Sequence, residues 1–568
     1  MALSAGNEVS RLRQIAPDSA SRAADGTGWT LAALAIAGLA GLPIAAVLWT
    51  ALAGGGGAGS GETVGDLAAT VLPTYIANTA LLMLLAGGIA AVTGTGCAWL
   101  IAATRFPGRR VLGWALVLPL ALPAYLAAYV YADILDYAGP VQSALRAATG
   151  WGVEDYAFPD IRSLGGGALV LGLVLYPYVY LLARTAFATQ SLTQFRAARS
   201  LGAGPSRAFW RVALPAARPA IAGGLALVLM EVLADFGVAE YFAIPTFSTG
   251  IFRSWLAMGD KAAALKLAAV MLLFVIALVA WEARTRRGRS DSRDGLAARG
   301  VDAEPLVVLS PLGKGLALAA CALPVLLGFV VPAAWLASLA MSETARAAAG
   351  DLPTYLRGSL WLGLATALLC LACALLLAFA RARSASRAAA GAIRLATLGY
   401  ALPGALLAVG LLAPLGGFDV SMARFARDSL GWSGGLLLTG TSAVLVYALS
   451  VRFLTVAYNT VSGGLARIPP SLDAAARSLG AGPSRVLARI YAPLLAPSLA
   501  GAAALVFIDT LRELPATLIL RPFNLETLAT RTYRLASDER LVEAAIPALI
   551  LLAAGLLPVL VLNRLGKR

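Results

Sequence analysis

Apolar runs long enough to cross a lipid bilayer recur along this chain and are separated by short polar segments. A transmembrane helix needs about 20 mostly apolar residues. The chain is 59% hydrophobic and only 13% charged, and its separate apolar runs are too numerous for one soluble core. Since every backbone polar group must be satisfied inside a bilayer, such runs form helices. We therefore predict an all-α, polytopic membrane protein.

Twelve spans are predicted, six in each half of the chain. In the first half they cover residues 29–52, 78–102, 111–134, 168–185, 215–235 and 262–283. In the second half they cover residues 315–340, 358–380, 393–415, 435–454, 493–514 and 542–562. The predicted domains are an N-terminal tail (1–28), a first six-span repeat (29–284), a linker (285–314) and a second six-span repeat (315–568).

One polar, arginine-rich segment occurs twice, once in each half. Phe195–Pro215 and Ala474–Pro493 share the sequence AARSLGAGPSR, and 480 − 202 = 278 gives the offset between Gly202 and Gly480. Gly can end a helix and Pro can start the next one, so each copy is predicted to be a helix, a break and a second helix. We interpret it as a docking element. The alternative is an amphipathic helix held at the surface by anionic lipid.

The distribution of basic residues predicts the orientation. The repeated segments, the linker and the C-terminus are rich in Arg and Lys, whereas the outer loop at 53–75 contains neither. Positively charged loops stay in the cytoplasm, which places both termini there. Six spans return the chain to its starting side, so the halves are predicted to be parallel repeats.

Several function classes are excluded by residues that the sequence lacks. The chain has no histidine, which excludes histidine-based catalysis and histidine metal sites. It also lacks a G-x-x-x-x-G-K-[ST] nucleotide-binding loop. The net charge of +15 resides mainly in short loops, so no basic domain is available for nucleic acid. We therefore predict that the chain is not an enzyme, and that any ATP and magnesium act on another chain.

Two pairs of carboxylates follow the repeated segments at the same offset. Glu231 corresponds to Asp509 and Asp235 to Glu513, and each pair is spaced i, i+4. This spacing predicts that both carboxylates face one side of a helix. Acidic residues inside a membrane are costly and mark an ion pathway or a pairing partner. One hypothesis is that the four ring the outer end of a central pathway. Pairing with Arg512, helix capping or binding of a partner protein are the alternatives.

Tyr125 and Tyr129, also four residues apart, are predicted to assist at this pathway, with Asp133 nearby. A hard trivalent cation prefers oxygen ligands such as carboxylate and phenolate. The set therefore suits such a cation better than an oxyanion. No fixed metal site is predicted.

The repeated segment resembles the EAA motif of ATP-binding-cassette importer permeases. Ala197-Ala198, Gly202 and Pro215 match it in the first copy, as do Ala475-Ala476, Gly480 and Pro493 in the second. The motif's glutamate is replaced by Arg196 and Ala474. The resemblance implies that these segments couple to a cytoplasmic ATPase. The residues expected to do so are Ala197, Ala198, Arg199, Gly202, Gly204, Pro205, Arg207, Ala475, Ala476, Arg477, Gly480, Gly482, Pro483 and Arg485. Phe209 and Trp210 are expected to anchor in an apolar pocket of this partner.

The segments after each copy resemble the fused, two-repeat permeases of ferric iron importers. This resemblance implies the type I importer permease fold in a bacterial inner membrane. It also implies a homodimeric ATPase and a periplasmic ferric-binding protein as partners. Permeases for thiamine, polyamines, sulfate and molybdate share the motif and remain alternatives, as does a secondary transporter driven by an ion gradient.

Overall fold

The structure, a computed structural model, describes residues 19–52, 69–152, 154–188, 192–287, 307–384, 386–431, 436 and 438–565. Most of the predicted tail (1–28) and most of the linker (285–314) lie outside the described residues. In the described ranges the chain is helical, with a single isolated β-bridge between Thr104 and Val307. The prediction of an all-α protein is confirmed.

The first half contains twelve α-helices in the described ranges. They are α1 (Ser19–Leu52), α2 (Leu72–Ala103), α3 (Arg109–Ala115), α4 (Ala124–Leu135), α5 (Pro140–Thr149), α6 (Leu164–Ala186), α7 (Leu192–Ser200), α8 (Pro205–Ala208), α9 (Leu214–Ala234), α10 (Gly237–Tyr241), α11 (Phe247–Phe252) and α12 (Lys261–Arg287). A 3₁₀ turn at Leu118–Ala121 precedes α4, and π turns lie at Phe209–Ala213 and Arg253–Ala257.

The second half continues with thirteen more helices in the described ranges. They are α13 (Pro311–Val325), α14 (Val331–Ala340), α15 (Glu343–Ala348), α16 (Leu352–Arg383), α17 (Arg387–Ala396), α18 (Gly404–Leu430), α19 (Ser442–Leu465), α20 (Pro470–Ser478), α21 (Pro483–Val486), α22 (Ala492–Arg512), α23 (Pro515–Leu520), α24 (Leu528–Ser537) and α25 (Leu541–Leu565). Further 3₁₀ turns lie at Ala349–Asp351 and Gly399–Ala401, and π turns at Leu326–Val330 and Leu487–Tyr491.

Ten helices in the described ranges are long and apolar enough to span a membrane. An eleventh span results if the helices on either side of Pro123, which are bent by 91°, are counted together. The last helix, α25, is apolar over Leu541–Leu557 and continues to Leu565. The count of twelve spans therefore stays a prediction, as do the two six-span domains.

The predicted third span of each half is wrong as a continuous helix. In the first half the 3₁₀ turn is followed by Leu122, whose backbone is extended (φ −94°, ψ 120°). Helix α4 then begins after Pro123. In the second half α18 begins in the same way after Pro403. Proline disfavours the helical conformation of the residue before it. The apolar sequence therefore continues across this point, although the helix ends there.

The chain divides into two compact units. The smaller unit comprises Met1–Ala45, Gly363–Tyr400 and Val446–Thr510. The larger unit comprises Ala46–Leu362, Ala401–Leu445 and Leu511–Arg568. The first repeated segment belongs to the larger unit and the second to the smaller one. Large side chains fill the core of the larger unit, including fully buried Tyr129, Tyr176, Tyr180, Phe187 and Phe236.

Candidate functional site

The first repeated segment is a helix, a glycine break and a helix that continues into a span. The break is at Gly202, whose φ of +86° is a left-handed conformation that glycine adopts without a steric penalty. The N–H of Ala203 donates to the carbonyl oxygen of Ala198 at 3.0 Å, which closes the end of α7. Helix α8 then starts at Pro205, and the π turn joins it to α9.

The second repeated segment has the same conformation. Gly480 has a φ of +80°, and the N–H of Ala481 donates to Ala476 at 3.0 Å. Helix α20, helix α21 and the second π turn begin 278 residues after their counterparts, since 470 − 192, 483 − 205 and 487 − 209 all equal 278. π turns are rare and occur frequently at functional sites. The predicted helix–break–helix is thus present in both copies.

Each copy exposes one leucine beside its glycine break. Leu201 and Leu479 are both 87% exposed, and 479 − 201 again equals 278. Arg199 and Arg207 are exposed in the first copy, and so is Arg485 in the second. The side chains of Ala474, Arg477 and Pro483 lie outside the described residues. Each segment therefore presents an apolar tip with basic residues nearby, which suits an acidic partner surface that has an apolar pocket.

Aromatic residues fix the first segment to its own unit. The Trp99 ring of α2 lies 5.3 Å from Phe195, 4.7 Å from Phe209 and 5.2 Å from Phe187. The prediction that Phe209 anchors in a partner pocket is therefore wrong, because its ring is taken up by this cluster. Trp210, the next residue, is 63% exposed.

Helix α16 begins and ends 280 residues after α2, and at this offset Phe379 takes the position of Trp99. Its ring lies 5.2 Å from Tyr491, at the end of the second π turn, and 5.8 Å from Trp29 of α1. Both segments are thus held to their own units by aromatic packing, with different residues.

The second member of each predicted carboxylate pair lies directly after the end of its helix. Helix α9 ends at Ala234 and α22 ends at Arg512, so Asp235 and Glu513 follow the helix ends. Both cap the next helix. The N–H of Ala239 donates to Asp235 Oδ2 at 3.0 Å, and the N–H of Thr517 donates to Glu513 Oε2 at 2.9 Å. A carboxylate at a helix N-terminus is stabilised by the helix dipole.

The other two carboxylates lie one turn earlier, within the spans. Glu231 and Asp509 are half-buried. Glu231 belongs to the larger unit and Asp509 to the smaller one, so the ring of four carboxylates remains a prediction. Arg512, their expected partner, donates from its guanidinium to the carbonyl oxygens of Leu120 at 2.9 Å and of Ala121.

The predicted tyrosines lie together on α4. The rings of Tyr125 and Tyr129 are 5.7 Å apart, and Tyr129 lies 4.5 Å from Tyr241 of α10. Asp133 is on the same helix and accepts a hydrogen bond from Trp335 Nε1 at 2.7 Å. The structure thus joins the tyrosines to the segment that follows α9.

In this segment burial raises the pKa of the Glu240 carboxyl, an effect that nearby Arg253 reduces.

A polar cavity is formed by the chain segment that runs from the end of α4 to the start of α6. Sequence patterns did not indicate it. It has a volume of about 300 Å³ and is lined by Leu135, Asp136, Tyr137, Gln142, Tyr156, Phe158, Asp160 and Ile161. Arg162 binds Asp136 beside it at 2.8 Å, and Arg146 donates to the Tyr156 hydroxyl at 2.9 Å. These residues are spread over 27 positions without a repeat or motif, so only the folded chain brings them together.

Residues 94–285 match the family described as the binding-protein-dependent transport system inner membrane component. The chain is 27% identical to the Fe(3+)-transport system permease protein FbpB 2 of Haemophilus influenzae, over 86% of this chain and 89% of that protein. It is 29% identical to the molybdenum transport system permease protein ModB of Escherichia coli, over 34% of this chain and 85% of that protein. Together with the apolar helices, these similarities show that the chain carries a permease domain of the binding-protein-dependent transport family at residues 94–285.

Proposed function

We propose that this chain is the membrane permease subunit of an ATP-driven importer, with both termini in the cytoplasm of a bacterial cell. The observation that carries the proposal is the conformational identity of the two repeated segments. Both have the glycine break, the following π turn and the 87% exposed leucine at an offset of 278 residues. A homodimeric ATPase offers two equivalent surfaces, and two equivalent segments suit such a partner.

The segments would transmit the motion of the ATPase. Each has a short helix that ends at a glycine and is held by aromatic packing to the spans of its own unit. ATP binding would draw the two ATPase subunits together and move the segments with them. The spans after Pro215 and Pro493 would then open the pathway outward, and hydrolysis would restore the inward-open state. The chemistry of ATP and magnesium would occur on the partner chain.

Ferric iron, delivered by a periplasmic binding protein, is the substrate that we propose. The similarity to an iron permease extends over 86% of the chain, whereas the similarity to the molybdenum permease extends over 34%. The half-buried carboxylates Glu231 and Asp509 suit a hard cation. An oxyanion is the second candidate, because the molybdenum permease also matches.

Reconstitution in proteoliposomes tests this function. The purified chain is combined with the ATPase and the binding protein encoded beside it, and uptake of labelled Fe(III) and molybdate is measured with and without ATP. We expect iron uptake that requires ATP and the binding protein. Uptake without ATP would contradict the coupling, and molybdate uptake without iron uptake would contradict the substrate.

A further inference from the structure

Two buried tyrosines have hydroxyl groups that no neighbouring residue satisfies. In the described ranges, the hydroxyls of Tyr125 and Tyr129 are buried without a hydrogen-bond partner. Tyr131 on the same helix donates to the carbonyl oxygen of Leu327, and Tyr180 donates to Gly113 at 2.7 Å. A buried hydroxyl without a partner destabilises the folded chain. Such a group calls for an explanation, and a ligand or a bound water is the usual one.

The fold itself does not require tyrosine at these positions. Helices α4 and α18 both begin after a 3₁₀ turn and a proline, and 403 − 123 = 280 relates Pro123 to Pro403. At this offset Tyr125 corresponds to Ala405 and Tyr129 to Val409, which are at most 1% exposed. The second half thus fills the same positions with apolar side chains. The phenols are therefore an addition to one half of the chain.

The surroundings of the two phenols combine charged groups with close packing. Tyr129 is within electrostatic range of Asp235, and Tyr125 is within range of both Arg512 and Glu513. A Cβ atom at Gly237 would lie 2.5 Å from Cβ of Tyr125, so the segment after α9 approaches α4 closely. All of these residues belong to the larger unit. The hydroxyls therefore lie in the same region as the carboxylates that follow α9 and α22.

We propose that Tyr125 and Tyr129 form one binding site for a hard metal cation on the translocation pathway, and that this site has no counterpart in the second half. The inference rests on the proposed function. Each phenol would give its proton to water as its oxygen binds the cation, and the nearby carboxylates would offset the positive charge. Phenolate oxygen is a preferred ligand of hard trivalent cations, and no change of oxidation state is involved.

The double variant Y125F/Y129F tests the site, with Y176F as the matched control. Tyr176 is also fully buried, and its hydroxyl lacks a partner in the described ranges, but it lies on α6. Two readouts are used in reconstituted transporter: Fe(III) uptake, and the visible charge-transfer absorption of iron–phenolate bonds after addition of Fe(III) citrate. Binding-protein-stimulated ATP hydrolysis shows that each variant is folded and coupled.

We expect Y125F/Y129F to lose iron uptake by about tenfold or more and to lose the absorption, with ATP hydrolysis retained. Y176F should keep uptake and absorption. Unchanged uptake in the double variant overturns the inference, as does an equal loss in Y176F. If the wild-type chain imports no iron at all, the proposed function fails. If it imports iron and the double variant imports equally well, only the site fails.

Discussion

The two halves of the chain are nearly identical in their repeated segments. They differ much more in the helices that follow Pro123 and Pro403. The segments around Gly202 and Gly480 have the same conformation and the same exposed leucine. Helices α4 and α18 begin alike but then differ in length and in side chains. Helix α4 ends at Leu135 and contains three tyrosines, whereas α18 runs to Leu430 and has none.

This difference fits two kinds of partner. In the proposed function, a dimer of identical ATPase subunits presents the same surface twice, so both segments that dock on it would have to keep the same shape. In the proposed importer, a single substrate meets two halves that need not bind it equally. The side chains of the proposed pathway would then be free to differ, and Tyr125 would meet a requirement that Ala405 does not.

The largest expected effect is on docking. We expect L201E and L479E each to weaken ATPase binding by about 2–4 kcal/mol, because a charge cannot enter an apolar pocket without a partner. Binding of the purified ATPase to the detergent-solubilised chain measures this effect. V308E is the control, since Val308 is 86% exposed but lies outside both segments. Unequal losses of ATPase affinity in the two variants would show that the two segments do not dock equivalently.

The caps of α10 and α23 are expected to contribute unequally to stability. Glu513 is buried and accepts hydrogen bonds from the N–H groups of Ala516 and Thr517 and from the Thr517 hydroxyl. E513Q should lower the free energy of unfolding by about 1–3 kcal/mol. D235N should cost less, because Asp235 is only half-buried. Thermal unfolding measures both, and the reverse order would contradict the assignment of Glu513 as the stronger cap.

The glycine breaks are expected to tolerate a side chain equally badly. A Cβ at Gly202 or Gly480 meets no atom within 4 Å, so only the positive φ opposes it. G202A and G480A should each cost about 1–2 kcal/mol of stability and reduce coupled ATP hydrolysis. G204A is the control for the loss of stability, because Gly204 has a φ of −60° and equal space around it. A tolerated G480A would show that the second break is not required.

The smallest effect is expected at the carboxylates inside the spans. Neutralising both in E231Q/D509N should lower iron uptake about fivefold, or about 1 kcal/mol, without reducing ATPase binding. The effect is modest because each contributes only part of the attraction for the cation. Normal uptake in this variant would remove both residues from the pathway.

The sequence predicted the repeated segments well because their conformation is local. Gly202 and Pro205 end and start helices by backbone sterics alone, and the same residues recur at Gly480 and Pro483. The third span of each half was mispredicted because the average hydrophobicity of a stretch does not indicate a helix break such as the one before Pro123. The capping roles of Asp235 and Glu513 were not predicted, because the sequence pattern does not show that their helices end at Ala234 and Arg512. Whether a buried hydroxyl such as that of Tyr125 finds a hydrogen-bond partner depends on the folded chain, and no sequence pattern indicates it.

Crosslinking tests the central claim most directly, which is that both segments dock on the ATPase. The chain's own cysteines are buried or partly buried, so cysteine variants at the two exposed leucines offer the most accessible thiols. L201C and L479C are each treated with a thiol–amine crosslinker in the presence of the purified ATPase. We predict a crosslinked product of both variants and none from V308C. Crosslinking of neither leucine position, or of only one, would contradict the account.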